Sequence, residues 1–272
     1  MMRIGILFAA VGVTGCSYFQ SAPVIPAAPV TPAKSAAKVA AGRLASGSAV
    51  VKAMHDLYGG KYLKTMSFLQ NNTAYTSSGQ EQKSQWYEHI EVPGKLRIAF
   101  LPATQRSGLV QVDDKVASFD NGIRVDFRPS VSPVLLLTAD VYAAPVATIM
   151  RGLDSLSVDT EVIRSDEWEG RPVYVVGAKA GDSTSNQMWV DAENLLLLRF
   201  IQRGKSGDRP MISDIHVGSY KDIQGYQIPT EFLVIRNGRP VFREQLSNIR
   251  INEEFPVGTF DQATWKEIPI PK

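Results

Sequence analysis

Three histidines, several adjacent acid pairs and a single cysteine are the side chains of this 272-residue sequence with reactive chemistry to offer. His89 and Glu91 stand two apart, as do Asp214 and His216. On strands, residues two apart share a face, so a composite metal site is geometrically conceivable. The same spacing is that of solvated polar faces on half-exposed strands, the plainer reading. The acids Asp113-Asp114, Asp166-Glu167 and Glu253-Glu254 are adjacent in sequence. Adjacent strand residues point to opposite faces and make no acid–base dyad unaided. No Gly-rich phosphate loop, HExxH or GxSxG motif occurs. Cys16 has no internal disulfide partner and precedes the globular sequence, away from any activating base. No enzyme, cofactor or resident metal is expected.

The surroundings of Cys16 give it a different chemistry. Met1-Met2-Arg3 is followed by an apolar run of about ten residues, Ile4 to Val13, the pattern of an export signal. Such a run rises only ~15 Å as a helix, about half the thickness of a bilayer's hydrocarbon core. Val13-Thr14-Gly15-Cys16 then resembles the lipobox of bacterial lipoproteins. That resemblance implies cleavage after residue 15 and a lipid-modified, palmitate-bearing Cys16 as first residue of the mature chain. Ser17 is not the Asp that favours inner-membrane retention in enteric-type lipoproteins, so an outer-membrane lipoprotein facing the periplasm is expected. Loss of Arg3 takes the formal charge from +2 to +1. A nearly neutral chain gives no electrostatic case for nucleic acid.

Residues 16–47 form the next unit, with alternating prolines (Pro23, Pro26, Pro29, Pro32) and an Ala-rich part bearing Lys34, Lys38 and Arg43. This composition favours an extended tether that buries no core. Residues 48–272 are long enough for one domain held by its core without disulfides. Ser48 is placed to cap a short helix stopped by Gly59-Gly60.

Strand signals dominate thereafter: 65–77, 82–92, 95–101, 108–112, 115–120, 122–127, 156–168, 171–180, 185–191, 195–203, 211–220, 227–236 and 240–251. Asn237-Gly238, Glu169-Gly170, Asp120-Asn121-Gly122 and Pro93-Gly94 are tight connections, which only antiparallel neighbours allow. The fold class is mainly β (α+β), one large curved antiparallel sheet. So many strands curl or split rather than lie open.

About 130–154 the pattern breaks into an apolar insert with Leu135, Leu136, Leu137, Val141, Ile149, Met150 and Leu153, divided by Pro133 and Pro145. One or two short helices are expected, lying on the inner face of the sheet as a plug or lid. Alternation along the strands gathers Met66, Phe68, Trp86, Ile90, Leu96, Ile98, Phe100, Leu196, Leu198, Phe200, Phe232 and Val234 on one interior, with Glu88 among them. That interior is either a filled core or a partly unfilled apolar cavity.

Residues 86–100, with Pro93-Gly94-Lys95-Leu96-Arg97 between two amphipathic strands, resemble a hallmark of the periplasmic lipoprotein-carrier superfamily, the LolA/LolB-like proteins. The order of features is similar over roughly 50–261: helix, strands, apolar insert, second run of strands. Gly225 to Thr230, Ile249 to Asn252, Phe255-Pro256 and Phe260-Asp261 resemble the closing strands. The resemblance implies an unclosed β-barrel with a helical lid over a cavity that receives acyl chains of a lipid or lipoprotein. The expected partners are the membrane, through the anchor, such acyl chains, and other envelope proteins. Sorting, transport and sensing all fit the resemblance; the alternative is an envelope scaffold with a filled core.

Overall fold

The computed structural model describes residues 44–269. The signal segment 1–15, Cys16 and the tether to residue 43 lie outside the described residues. Helix α1 (Gly47–Asp56) is capped by Ser46, not Ser48: the Ser46 hydroxyl accepts from the Ala49 N–H at 3.1 Å. Leu44 already packs on the core, and Val50, Val51 and Met54 turn the apolar face of the helix inward.

The strands follow as β1 (Thr65–Tyr75), β2 (Glu81–Glu91), β3 (Lys95–Phe100), β4 (Gly108–Val112), β5 (Lys115–Asp120) and β6 (Ile123–Pro129). The insert contributes α2 (Pro133–Thr138), a 3-10 turn at Asp140–Tyr142 and α3 (Val146–Ser155). Pro133 opens α2 and Pro145 precedes α3, positions where a missing N–H costs nothing. The second run is β7 (Ile163–Trp168), β8 (Arg171–Val176), β9 (Gln187–Asp191), β10 (Leu197–Ser206) and β11 (Arg209–Gly218). A small hairpin, β12 (Lys221–Ile223) and β13 (Tyr226–Ile228), precedes β14 (Glu231–Arg236) and β15 (Arg239–Ile251). Asn121-Gly122 and Asn237-Gly238 both carry two successive positive φ angles, the turn that matches strand twist in a two-residue hairpin.

Thirteen strands form one antiparallel sheet in the order β6-β5-β4-β3-β2-β1-β15-β14-β11-β10-β9-β8-β7. The chain starts in the middle, meanders to one free edge at β6, and crosses through the helical insert to the other free edge at β7. It then meanders back until β15 pairs with β1, Met66 opposite Ile251. The sheet is an unclosed barrel. A connector between its two edges has to cross the opening, so topology itself lays α2 and α3 over the inner face.

Several expected elements are differently bounded. The segment 156–162 is not strand: Leu156 and Ser157 bond back to the end of α3, and the Asp159 side chain accepts from Glu161 N–H, a turn. The segment 227–236 splits at Pro229, which cannot donate to a ladder. Beyond β15, Phe255-Pro256 and Phe260-Asp261 are not strands; residues 252–269 run as turns. There Trp265 stacks on Phe119 at 4.5 Å in an outer cluster with Val110 and Ala117.

Candidate functional site

The interior is built by cross-strand pairs on the inner face. Trp86 lies opposite Phe100, Glu88 opposite Ile98 and Ile90 opposite Leu96. On the other side of β2, Met66 meets Ile90 and Phe68 meets Glu88. Helix α2 closes over them, burying Leu135, Leu136 and Leu137. Between lid and sheet remains a cavity of about 50 Å³, lined among others by Met66, Phe68, Trp86, Ile90, Leu96, Phe232, Leu135 and Val134. That is room for one or two waters, not for an acyl chain. With the lid in this position the interior is nearly filled.

Not all the expected lining reaches the cavity. Ile98, Phe100, Leu196 and Phe200 belong to the surrounding core, as do Leu137, Val141, Ile149 and Leu153 around the lid, with Met150 packed at its margin. Val234 is buried outside that cluster. Leu198 faces the opposite way, into an outer cluster with Val173, Val175 and Trp189. A bulge between Leu197 and Arg199 causes this: it breaks strict alternation, so Leu197 takes the inner place and Leu198 the outer.

One cap shapes the lid helix and two hydrogen bonds tie the insert to the rest of the domain. Ser132 caps α2, accepting from Leu135 N–H at 3.2 Å. The Tyr62 hydroxyl donates to the Thr138 carbonyl at 3.3 Å. Just beyond α2, the Asp140 carboxylate accepts from the Gly94 N–H at 2.9 Å and ties the insert to the Pro93-Gly94 turn. Burial pushes the Asp140 carboxyl up to about 7, against the lowering effect of that hydrogen bond.

Tyr62 belongs to a group of buried and half-buried tyrosines that sequence reasoning did not single out. Tyr58, Tyr62, Tyr142 and Tyr226 pack with ring centroids 4.9 to 5.7 Å apart. They join the end of α1, the 3-10 turn and the β12–β13 hairpin at one end of the barrel. The signal available was the spacing of Tyr58 and Tyr62 where α1 ends.

Two carboxyls share this apolar interior. Glu88 and Glu244 both line the cavity, and neither has a hydrogen-bond or ion-pair partner among the described residues. Glu88 is 5% exposed. Burial, and then the nearby Glu244, drive the Glu88 carboxyl well above the carboxylate range; burial raises Glu244 to about 7. Gln70, Ser132 and Thr138 are the other polar residues of the lining, the Gln70 amide donating to Asn72 at 2.8 Å.

The family-like turn divides between two faces. Pro93 and Gly94 form the turn, and Lys95 pairs with Glu91 at the surface. Arg97, 2% exposed, points outward, stacks over Trp265 at 4.1 Å and donates to the carbonyls of Trp265 (3.0 Å) and Thr259 (3.4 Å). Burial lowers its guanidinium to about 10.

The histidine pairs stay apart, on β2 and β11. His89 lies edge-on to Phe255 at 4.8 Å, and burial lowers it to about 4, helped by Arg97. His216 lies 3.2 Å from Asp214, which is chelated by Arg199 at 2.6 and 2.8 Å. Among the described residues no three His, Cys, Asp or Glu side chains could hold a metal ion, and no helix is long and apolar enough to cross a membrane.

No protein-family model and no curated protein matches the sequence. Solved structures do match the fold. A domain from Vibrio parahaemolyticus, described as outer membrane lipoprotein-sorting, aligns with a TM-score of 0.54 at 10% identity, over 79% of this chain and 95% of its own. A LolA superfamily protein from Nitrosomonas europaea gives 0.53 at 12%, over 79% and 97%. A DUF1329 family protein from Desulfovibrio piger gives 0.56 at 16%, over 80% and 97%. The chain thus shares the LolA-like unclosed-barrel fold.

Proposed function

We propose that this protein is a bacterial lipoprotein, anchored through Cys16 on a Pro/Ala-rich tether, whose half-barrel binds the acyl chains of a lipid or lipoprotein for sorting, transport or sensing in the cell envelope. The domain plan is a signal peptide over 1–15, a lipidated tether over 16–47 and a carrier domain from 48. An outer-membrane position facing the periplasm accords with Ser17. No covalent chemistry belongs to this reading.

The observation that carries it is the lid. A short apolar helix crosses the opening of an apolar half-barrel and is held at its ends by a few hydrogen bonds, each worth about 1 kcal/mol net. Burying an acyl chain yields about 0.8 kcal/mol per methylene. A sixteen-carbon chain supplies ~12 kcal/mol at that rate, more than the end contacts together with about 5–9 kcal/mol for re-exposing Leu135, Leu136 and Leu137. It would displace α2 and occupy the space of Leu135 and its neighbours.

The small volume of the closed cavity favours a second reading, a scaffold or regulatory module with a filled core that acts through protein contacts. Lipid separates the two. The full chain carrying Cys16→Ser, purified without detergent, should release acyl species on solvent extraction and take up a neutral fluorescent long-chain alcohol. Protein that is free of lipid and takes up no probe would refute the carrier reading.

A further inference from the structure

A buried carboxyl and a half-buried one facing the same apolar cavity need a reason. Glu88 and Glu244 sit on neighbouring parts of one inner face, Glu88 opposite Phe68 and Glu244 opposite both Asn72 and Phe232. Glu88 is almost wholly removed from solvent, both line the cavity, and no described residue hydrogen-bonds or pairs with either. A core built only for packing would carry apolar residues there, since an unpaired buried polar group costs about 1–3 kcal/mol.

We propose that Glu88 and Glu244 are the head-group end of the cavity and select amphiphiles that carry a primary ammonium on an alkyl or acyl chain. This rests on the carrier reading and deepens it. An ammonium has three N–H donors and no acceptor. One such group answers both carboxyls at once: it relieves their mutual repulsion and supplies charge-assisted hydrogen bonds to each. A carboxylate or phosphate head is repelled by an ionised carboxyl and finds a donor there only while the acids keep their protons, so the discrimination belongs above about pH 7, where Glu244 ionises. A hydroxyl head supplies one donor and no charge. The selection order is therefore ammonium, then alcohol, then carboxylate. Glu88 and Glu244 act as specificity determinants, while chain burial supplies most of the affinity.

The test is calorimetric titration of the full chain carrying Cys16→Ser with dodecylamine, dodecanol and dodecanoate, which share one chain and differ in head. Dodecylamine is expected to bind about tenfold tighter than dodecanol, the scale of one charge-assisted hydrogen bond, with dodecanoate weakest. In Glu88→Gln/Glu244→Gln the ratio of amine to alcohol affinity should fall about tenfold. Gln keeps the shape and removes the burden of buried ionisation, and each single variant provides a second measurement. If the three ligands bind alike, if dodecanoate is preferred, or if the ratio survives in the double variant, the inference fails while the carrier reading stands. If none binds, both fall.

Discussion

The Asp140 carboxyl that ties the lid to the β2–β3 turn makes a prediction whose size follows from its surroundings. Its ordinary value is 3.8 and burial lifts it to about 7. The folded state therefore holds a proton that the unfolded chain releases, and ionising Asp140 works against the fold. A raised folded value places the stabilising contribution below about pH 4; it is lost as pH climbs through about 7. At about 1.36 kcal/mol per pH unit, the span from 3.8 to about 7 corresponds to about 4 kcal/mol. Asp140→Asn keeps an oxygen to accept from the Gly94 N–H and cannot ionise. Relative to the unchanged protein, the variant should gain about 4 kcal/mol between pH 4 and pH 8. Glu88 and Glu244 titrate in both proteins and cancel in the difference. Urea unfolding followed by tryptophan fluorescence at pH 4.5, 6, 7 and 8 provides the comparison, with equal slopes in denaturant as the check that the same transition is observed. A difference that does not vary with pH, or that shrinks as pH rises, would refute the assignment of Asp140 as a buried acid.

Two further outcomes are expected. Arg97→Lys loses the flat stack on Trp265 and at least one carbonyl contact, for about 2–3 kcal/mol in urea unfolding, and Trp265→Ala costs about 3–5 kcal/mol. Because the two side chains touch, the double variant should lose less than the sum; strict additivity would mean that the outer stack does not hold the tail. Cys16→Ser should move the protein from the membrane to the soluble fraction of fractionated cells, and unchanged membrane association would exclude the lipid anchor.

What the sequence made legible was whatever repeats with period two or announces itself by turn chemistry. The inner faces of β2 and β3 were readable because Trp86, Ile90, Leu96 and Ile98 alternate without interruption. The insert was readable because an apolar run flanked by prolines has no place in such a sheet. Leu198 was misplaced because a bulge shifts parity by one residue, and a bulge leaves no mark in hydropathy. The tail reads as strand only through the resemblance, because aromatic residues followed by proline or aspartate look alike whether they pair or pack. Glu88 could be seen on the apolar face; that Glu244 joins it depends on the pairing of β15 with β14 and β1, which no local pattern specifies.

The position of β1 in the middle of the sheet has a consequence for how the molecule comes to be. One side of β1 is satisfied as soon as β2 is made; the other waits for β15, so Met66 finds Ile251 only across nearly the whole domain. Trp265, later still, completes the shelter of Arg97 on β3. Pairings of such long separation form late and slowly. Until β15 is made, the first six strands present an open seam at β1 as well as the free edge at β6, and such edges are templates for aggregation. On the proposed export route, new chains should therefore depend on a holding factor until β15 and the segment bearing Trp265 arrive.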